Sequence, residues 1–416
     1  MEKYDVVVVG GGFAGVSSAL AAAREGARVL LIEKGNSLGG AAVNCLVNPF
    51  MPFSTKINGK EALLSAGIFS SICKRLEERN ALRYNSFLEE ELKFILNDMI
   101  CKAEIELLYH SFISGVHKEN DAVKYISVAT ISGTLDIEAD YFIDATGNAQ
   151  LAFLANCPFV LVRKNDNLCQ PMTLCFRIGN IDVPAFMSSL DTLQKLYRKA
   201  QKNGEISNPR ENILVFKTPI NNVLHFNTTR IIKLNPTLPR DITNAEIIAR
   251  NQVREIYEFM KEHAAGLENS FLMMTASEIG VRESRKIVGD YILTEEDCKT
   301  CVKFDDGIAA CNYDIDIHNP EGSGTSHYYF LEGEYYTIPY RCLIPQGVTN
   351  MLVAGRCISS DHGAQASYRI MPTVCSIGEA AGVAIGLAVK GKTDTRSIDV
   401  SILRRKLKSY NAFIGS

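Results

Sequence analysis

The sequence predicts an α/β fold: a parallel sheet extended by a β-meander, interrupted by an inserted α+β domain. Three observations predict it. The chain opens on a run of valines, residues 6–9, that breaks at a glycine cluster between Gly10 and Gly15. A meander of strand-like segments ends in a second apolar strand, closed by Asp144-Ala145-Thr146-Gly147. Strands then alternate with polar loops from about 160 to 345, and the α/β pattern returns after Asn350. A continuous apolar run, rather than strict alternation, is what a parallel strand buried on both faces requires.

Taken in order, residues 6–9 read as a strand, 15–25 as a helix and 28–32 as a strand ending at Glu33. Small residues with Pro49 and Pro52 make 39–53 irregular, and helical spacing of apolar residues covers 60–80 and 88–103. Segments 106–109, 111–116, 124–130 and 134–143 form the meander. Beyond it, strands at 172–178, 213–216, 223–234 and 335–343 suggest an antiparallel sheet. A flanking helix is expected over 244–264, with Asp241 and Thr243 as caps. A strand at 351–354 and an apolar helix over 372–389 complete the pattern. Residues 1–160 and 346–416 are thus expected to form one discontinuous cofactor domain, and 161–345 a substrate or cap domain.

The motif Gly10-x-Gly12-x-x-Gly15, with Phe13 and Ala14 inside it, follows a strand and opens a helix. Gly10 permits the tight turn, Gly12 admits a pyrophosphate, and Gly15 lets the helix pack on the strand. The helix N-terminus attracts phosphate charge. Glu33, followed by Lys34, ends the next strand, where its carboxylate accepts hydrogen bonds from ribose hydroxyls. This is a Rossmann-like site for an adenine dinucleotide. Three later stretches favour FAD over NAD. Gly39-Gly40-Ala41 can run past the pyrophosphate toward a ribityl chain. Ala145-Thr146-Gly147 and Gly355-Arg356 are two further strand-to-glycine approaches that NAD binding does not need.

On these residues the chain resembles the FAD-dependent oxidoreductase family that includes the flavin-binding part of heterodisulfide reductase. More distantly it is similar to glutathione-reductase-type flavoproteins. The matching stretches are 6–15, 39–53, 144–150, 282–297, and 350 through the helix at 378–382. The resemblance implies a bound FAD, an Arg-rich turn beside the active-site cleft, and a C-terminal helix whose N-terminus faces the flavin pyrimidine ring. Gly378 and Ala381 are the cofactor residues expected on that helix. One departure concerns the second flavin motif, where relatives of this superfamily often carry Gly-Asp and this chain has Gly355-Arg356. No second Gly-x-Gly-x-x-Gly follows a strand, so a resident NAD(P)H domain is not expected.

Three candidates for substrate chemistry lie near these returns: His362 as a proton carrier, and Arg369 and Arg282 as anchors for an oxyanion. Cys45 follows the glycine stretch and reads as a packed residue before a redox partner. Cys298-x-x-Cys301 with Cys311 lacks a histidine at ligand spacing, and no metal is expected. His318 and His327 are expected at the surface. A net charge of −3 and the absence of basic clusters exclude a nucleic-acid partner. Residues 1–4 lead straight into the strand, and the apolar stretches 6–23 and 371–389 carry glycines or Glu379. A cytoplasmic protein without a membrane partner is therefore expected. The expected reaction is hydride transfer between an unidentified small organic substrate and flavin N5. The alternatives are a flavin monooxygenase and an electron-transfer flavoprotein serving an iron–sulfur partner. A homo-oligomer is compatible with the sequence.

Overall fold

The computed structural model describes residues 3–163 and 167–415; Met1 and Glu2 of the opening segment lie outside them. Its main sheet has seven strands. Lys3–Val9 pairs in parallel with Val29–Ile32 on one side and with Gly133–Asp144 on the other. Val29–Ile32 pairs in turn with Glu106–Leu108, also in parallel. The twelve-residue strand Gly133–Asp144 does two jobs. Its first half pairs antiparallel with Ala122–Thr130, and its end pairs in parallel with Met351–Val353. One strand therefore joins the meander, the glycine-turn strand and the C-terminal return.

Segment 106–109, expected in the meander, belongs instead to the parallel part of the sheet. Its apolar residues Leu107 and Leu108 answer to Leu31 and Ile32 across the ladder. The helix expected over 60–80 is also corrected. Ser54–Ile57 and Lys60–Leu63 form a hairpin turned at Asn58-Gly59, both with positive φ, and the helix is confined to Ile68–Glu78. Asn-Gly is the residue pair that a tight hairpin turn demands. Helix Glu89–Lys102 agrees with expectation.

The second sheet is antiparallel, as expected, with Phe176–Gly179 central between Leu224–Phe226 and the edge strand Phe271–Thr275. Segment 335–343, expected in it, is corrected: Tyr336–Pro339 pairs with Gly307–Cys311 and packs in the core around the first helix. Two helices cover one face: Val183–Asn203, which sequence reading left unassigned, and Pro239–His263. The latter starts at Pro239, and neither Asp241 nor Thr243 caps it. Asp241 accepts from Asn235 N, and Thr243 Oγ1 donates back to Pro239 O. Phe176, Phe226 and Phe186 pack toward the helices, while Arg177 and His225, paired across the ladder, belong to the other face.

Three large cores result, one of them on the face of the main sheet that carries Val7, Leu30, Ile126 and Phe142. The largest gathers the first helix, the C-terminal helices and also residues Leu293 to Ile344. The third gathers Met172 to Ile279 with Leu46 from the cofactor part. Helix Met371–Gly391 is the one helix among the described residues long and apolar enough to cross a membrane. It lies inside the largest core, against helix Phe13–Arg24.

Candidate cofactor groove and adjoining arginine cluster

Gly10 turns the chain with φ +105°, and Ala145 passes so close that a Cβ at Gly10 would meet its carbonyl oxygen at 2.5 Å. Ala145 N donates to Val9 O at 2.8 Å, which locks the second approach beside the first. Gly12 caps helix Phe13–Arg24 with no side-chain hydrogen bond, so the first amides of the helix point outward unsatisfied by a cap. Gly40 lies opposite: a Cβ there would come within 2.8 Å of Gly12 Cα. At the end of Val29–Ile32, Glu33 is buried and its two oxygens accept from Gly11 N at 2.6 Å and Gly35 N at 2.7 Å. Those bonds fix the carboxylate while leaving it lone pairs for a ribose.

Asp144 builds the turn that follows its strand. Its oxygens accept from Thr146 N, Thr146 Oγ1 and Ala152 N, and burial raises its pKa. Gly147 carries the Arg356 guanidinium against it: a Cβ would meet Cζ at 3.1 Å. Arg356 Nη2 donates to Asn148 Oδ1 at 2.8 Å, and its buried Nε has no partner among the described residues. Gly10, Gly12, Gly40, Ala41, Thr146, Gly147 and Arg356 all keep partial exposure among buried neighbours. They trace an open groove from an uncapped helix N-terminus to a guanidinium whose Nε is unpartnered among the described residues, which fits a dinucleotide cofactor.

The remaining cofactor candidates sit around this line. Phe13 turns its ring into the core, edge-on to Phe50 at 5.7 Å, and Ala14 faces Gly355. Gly15 touches Gly10, and Gly39 packs on Val43. Lys34 is exposed and pairs with Glu278 at 2.7 Å. Gly378 and Ala381 are corrected. They lie about two and three turns inside helix Met371–Gly391, both buried, with Gly378 pressed on Ala14 O and Ser17 Oγ. Ser17 and Ser18 donate to Cys375 O and Gly378 O, so this stretch is a helix–helix contact closed to any ligand.

Beside the groove, Gly280 packs on Cys45 and pairs with Thr173, and Arg282 follows two residues later. Arg282 Nη1 donates to Pro171 O at 2.8 Å, and Gln365 Nε2 donates to Arg282 O. Gln365 Oε1 accepts from Gln170 Nε2, and Gln170 Oε1 accepts from Arg369 Nη2. Gln170 N donates to Glu283 Oε2, which lies 2.9 Å from His362 Nδ1. Hydrogen bonds thus join Arg282, Arg369 and Glu283, and a 2.9 Å ion-pair contact brings His362 to Glu283. His362 is held toward the buried Glu283–Lys286 pair, and its Nε2 has no partner among the described residues.

Sequence reading missed Arg210, Gln170 and Asp316. His318, expected at the surface, is buried 3.2 Å from Asp316, with burial and Arg282 driving its pKa down; His327 is exposed as expected. Burial, with Arg369 and Arg210 adding to it, lowers the pKa of Arg282 to about 9. Arg282 and Arg369 nonetheless keep accessible surface, as side chains on the floor of a cleft do. Cys45 is buried, its thiol pushed up to about 12, so it rests as a neutral packed thiol. No group of three potential metal ligands occurs among the described residues.

The model of a family described as FAD dependent oxidoreductase matches residues 5–407. The chain is 29% identical over 196 residues to digeranylgeranylglycerophospholipid reductase of Thermoplasma volcanium, covering 44% of this chain and 48% of that protein. It is 28% identical over 225 residues to 6-methylpretetramide 4-monooxygenase of Streptomyces rimosus, covering 46% and 52%. The match thus spans about half the length of these curated relatives. Among solved structures, a geranylgeranyl bacteriochlorophyll reductase-like protein of Thermoplasma acidophilum superposes with a TM-score of 0.51 at 16% identity. That likeness covers 99% of this chain and 84% of the other, and speaks for the fold alone.

Proposed function

The chain belongs to the FAD-dependent oxidoreductase family, and from that premise we propose that it oxidises or reduces a small organic substrate bound between the groove and the inner face of the second sheet. The observation that carries this reading is the network joining Arg282, Arg369 and His362, which follows Gly280 where it packs on Cys45. FAD, when bound, supplies two-electron chemistry by taking up or giving a hydride. Gly10, Gly12, Gly40, Ala41 and Ala145–Gly147 would cradle its phosphates and ribityl chain, Glu33 its ribose, and Arg356 a negative oxygen. Arg282 and Arg369 orient the substrate, and His362 Nε2 is the free position for holding or moving a proton. We place the cap at Met172–Ile279, narrower than 161–345, because Leu293 to Ile344 pack with the cofactor part.

The test uses Gly12. It has φ −71°, and a Cβ there would meet only Gly40 Cα, at 3.9 Å. Gly12→Val should keep the fold and lose bound FAD, read as flavin absorbance per protein at a melting temperature close to that of the wild-type apoprotein. Full flavin content in that variant would overturn the placement. Reductase and monooxygenase relatives match about equally well. Turnover compared with and without oxygen then assigns the second half-reaction.

A further inference from the structure

Arg210, Arg282 and Arg369 come from three distant segments and act on one another. Arg210 precedes strand Val215–Lys217, Arg282 follows Phe271–Thr275, and Arg369 ends helix His362–Tyr368. The charges of Arg369 and Arg210 both bear on Arg282, and all three are felt by Asp316. None of the three has a carboxylate within 4.0 Å among the described residues.

The groups that accept from them are neutral. Arg210 Nε donates to Asn212 Oδ1, Arg282 to Pro171 O and Asn227 Oδ1, and Arg369 to Gln170 Oε1 and Asp316 O. Arg369 Nε is buried with no partner at all among the described residues. The nearby carboxylates lie beyond 4.0 Å of these forks, and of their oxygens only Asp316 Oδ1 is buried without a hydrogen-bond partner among the described residues. Asp316 Oδ2 takes His318 at 3.2 Å and Tyr313 OH at 3.2 Å, and Glu211 pairs with Arg230 at 3.0 Å. Deep cations are normally paired, because an isolated charge is costly to desolvate. Arg210 buried, Arg282 and Arg369 partly exposed, and none with a carboxylate within 4.0 Å among the described residues, together describe a site short of its anion.

Resting on the function proposed for this cleft, we propose that the substrate carries an oxyanion, a carboxylate or a phosphate, bound by the guanidinium forks of Arg210, Arg282 and Arg369. Planar forks match both groups with paired, charge-assisted hydrogen bonds. Anchoring the anion here leaves the rest of the substrate on the groove side, toward Cys45 and Gly280. The Asn227 and Gln170 amide oxygens hold the mutually repelling forks in place by accepting from Arg282 and Arg369.

The test is a thermal-melting titration of the FAD-loaded protein with malonate, inorganic phosphate, the neutral malonamide, and chloride at matched ionic strength. Malonate or phosphate should give a saturable rise in melting temperature, and malonamide and chloride none; whichever oxyanion binds identifies the group. Arg369→Gln and, separately, Arg282→Gln should weaken that binding about tenfold or more. The wild-type comparison of malonate with malonamide stands even if a variant fails to fold. No rise with either oxyanion, or unchanged binding in well-folded variants, overturns the proposal. Flavin content is measured first. A protein without FAD that still binds the oxyanion fails the function reading alone, and one with FAD that ignores both oxyanions fails this inference alone.

Discussion

Gly12 and Gly15 share one motif and answer to different constraints. A Cβ at Gly15 would lie 1.7 Å from Gly10 O, an overlap no rotamer relieves, whereas Gly12 has open space facing the groove. Gly15→Ala should therefore cost about 3 kcal/mol or more by overpacking, while Gly12→Ala should cost about 1 kcal/mol or less, from a poorer helix cap. Urea midpoints of the two variants check this, and equal losses would sink the distinction. Glycine roles of this kind were legible in the sequence because spacing alone carries them. Glu33 was legible for the same reason, as the residue that closes the second strand. Arg210, Gln170 and Asp316 were not, since no local pattern links residues 170, 210 and 316. Only the fold brings them to Arg282.

Among elements, short-range signals decided what could be read. The helix Val183–Asn203 carries Asp182 accepting from Ala185 N, proline in its first turn, and Gly204 at φ +77° after its end. These are ordinary start and stop signals that sequence reading passed over. Asn58-Gly59 likewise outvoted the apolar spacing that suggested a helix from residue 60. The joints between helices were hidden. Glu25, at the end of the first helix, accepts from Lys390 at 2.8 Å, Lys406 at 2.8 Å and Tyr410 at 2.6 Å, tying three helices together. Burial pushes its carboxyl up, but those partners outweigh it and set the pKa at about 2 instead of 4.5. A folded-state pKa below the unfolded one adds stability that is present above pH 4.5 and is lost as pH falls toward 2. The lysines are 54% and 31% exposed, so solvent screening reduces the effect. Glu25→Gln should cost about 1–2 kcal/mol at neutral pH, and the gap to wild type should close between pH 4.5 and 2. A gap independent of pH in urea titrations would show that the carboxylate's charge is not what holds the helices.

For the whole molecule, the lips of the groove come from residues 10–12, 33, 40, 145–147 and 356, which adjoin only when the seven-stranded sheet is complete. The unfolded chain therefore offers FAD no comparable site, and binding must stabilise the native state by mass action. With FAD at about 100 times its dissociation constant, the gain is about 2.7 kcal/mol. The split of the cofactor part around residues 161–345 was foreseeable from the return of α/β pattern after Asn350. Where the cores divide was not, because apolar content is similar on both sides and only packing sorts Leu293 to Ile344 into the larger one. Melting of the apoprotein should rise steadily with the logarithm of FAD concentration once the site is saturated. FMN supplies the flavin without the adenylate half that Glu33 and the Gly10–Gly15 turn are placed to hold, so it should raise melting much less at equal concentration. Equal shifts from FMN and FAD would mean that the glycine turn and Glu33 contribute nothing to holding the cofactor, and the groove would then have to be traced through other residues.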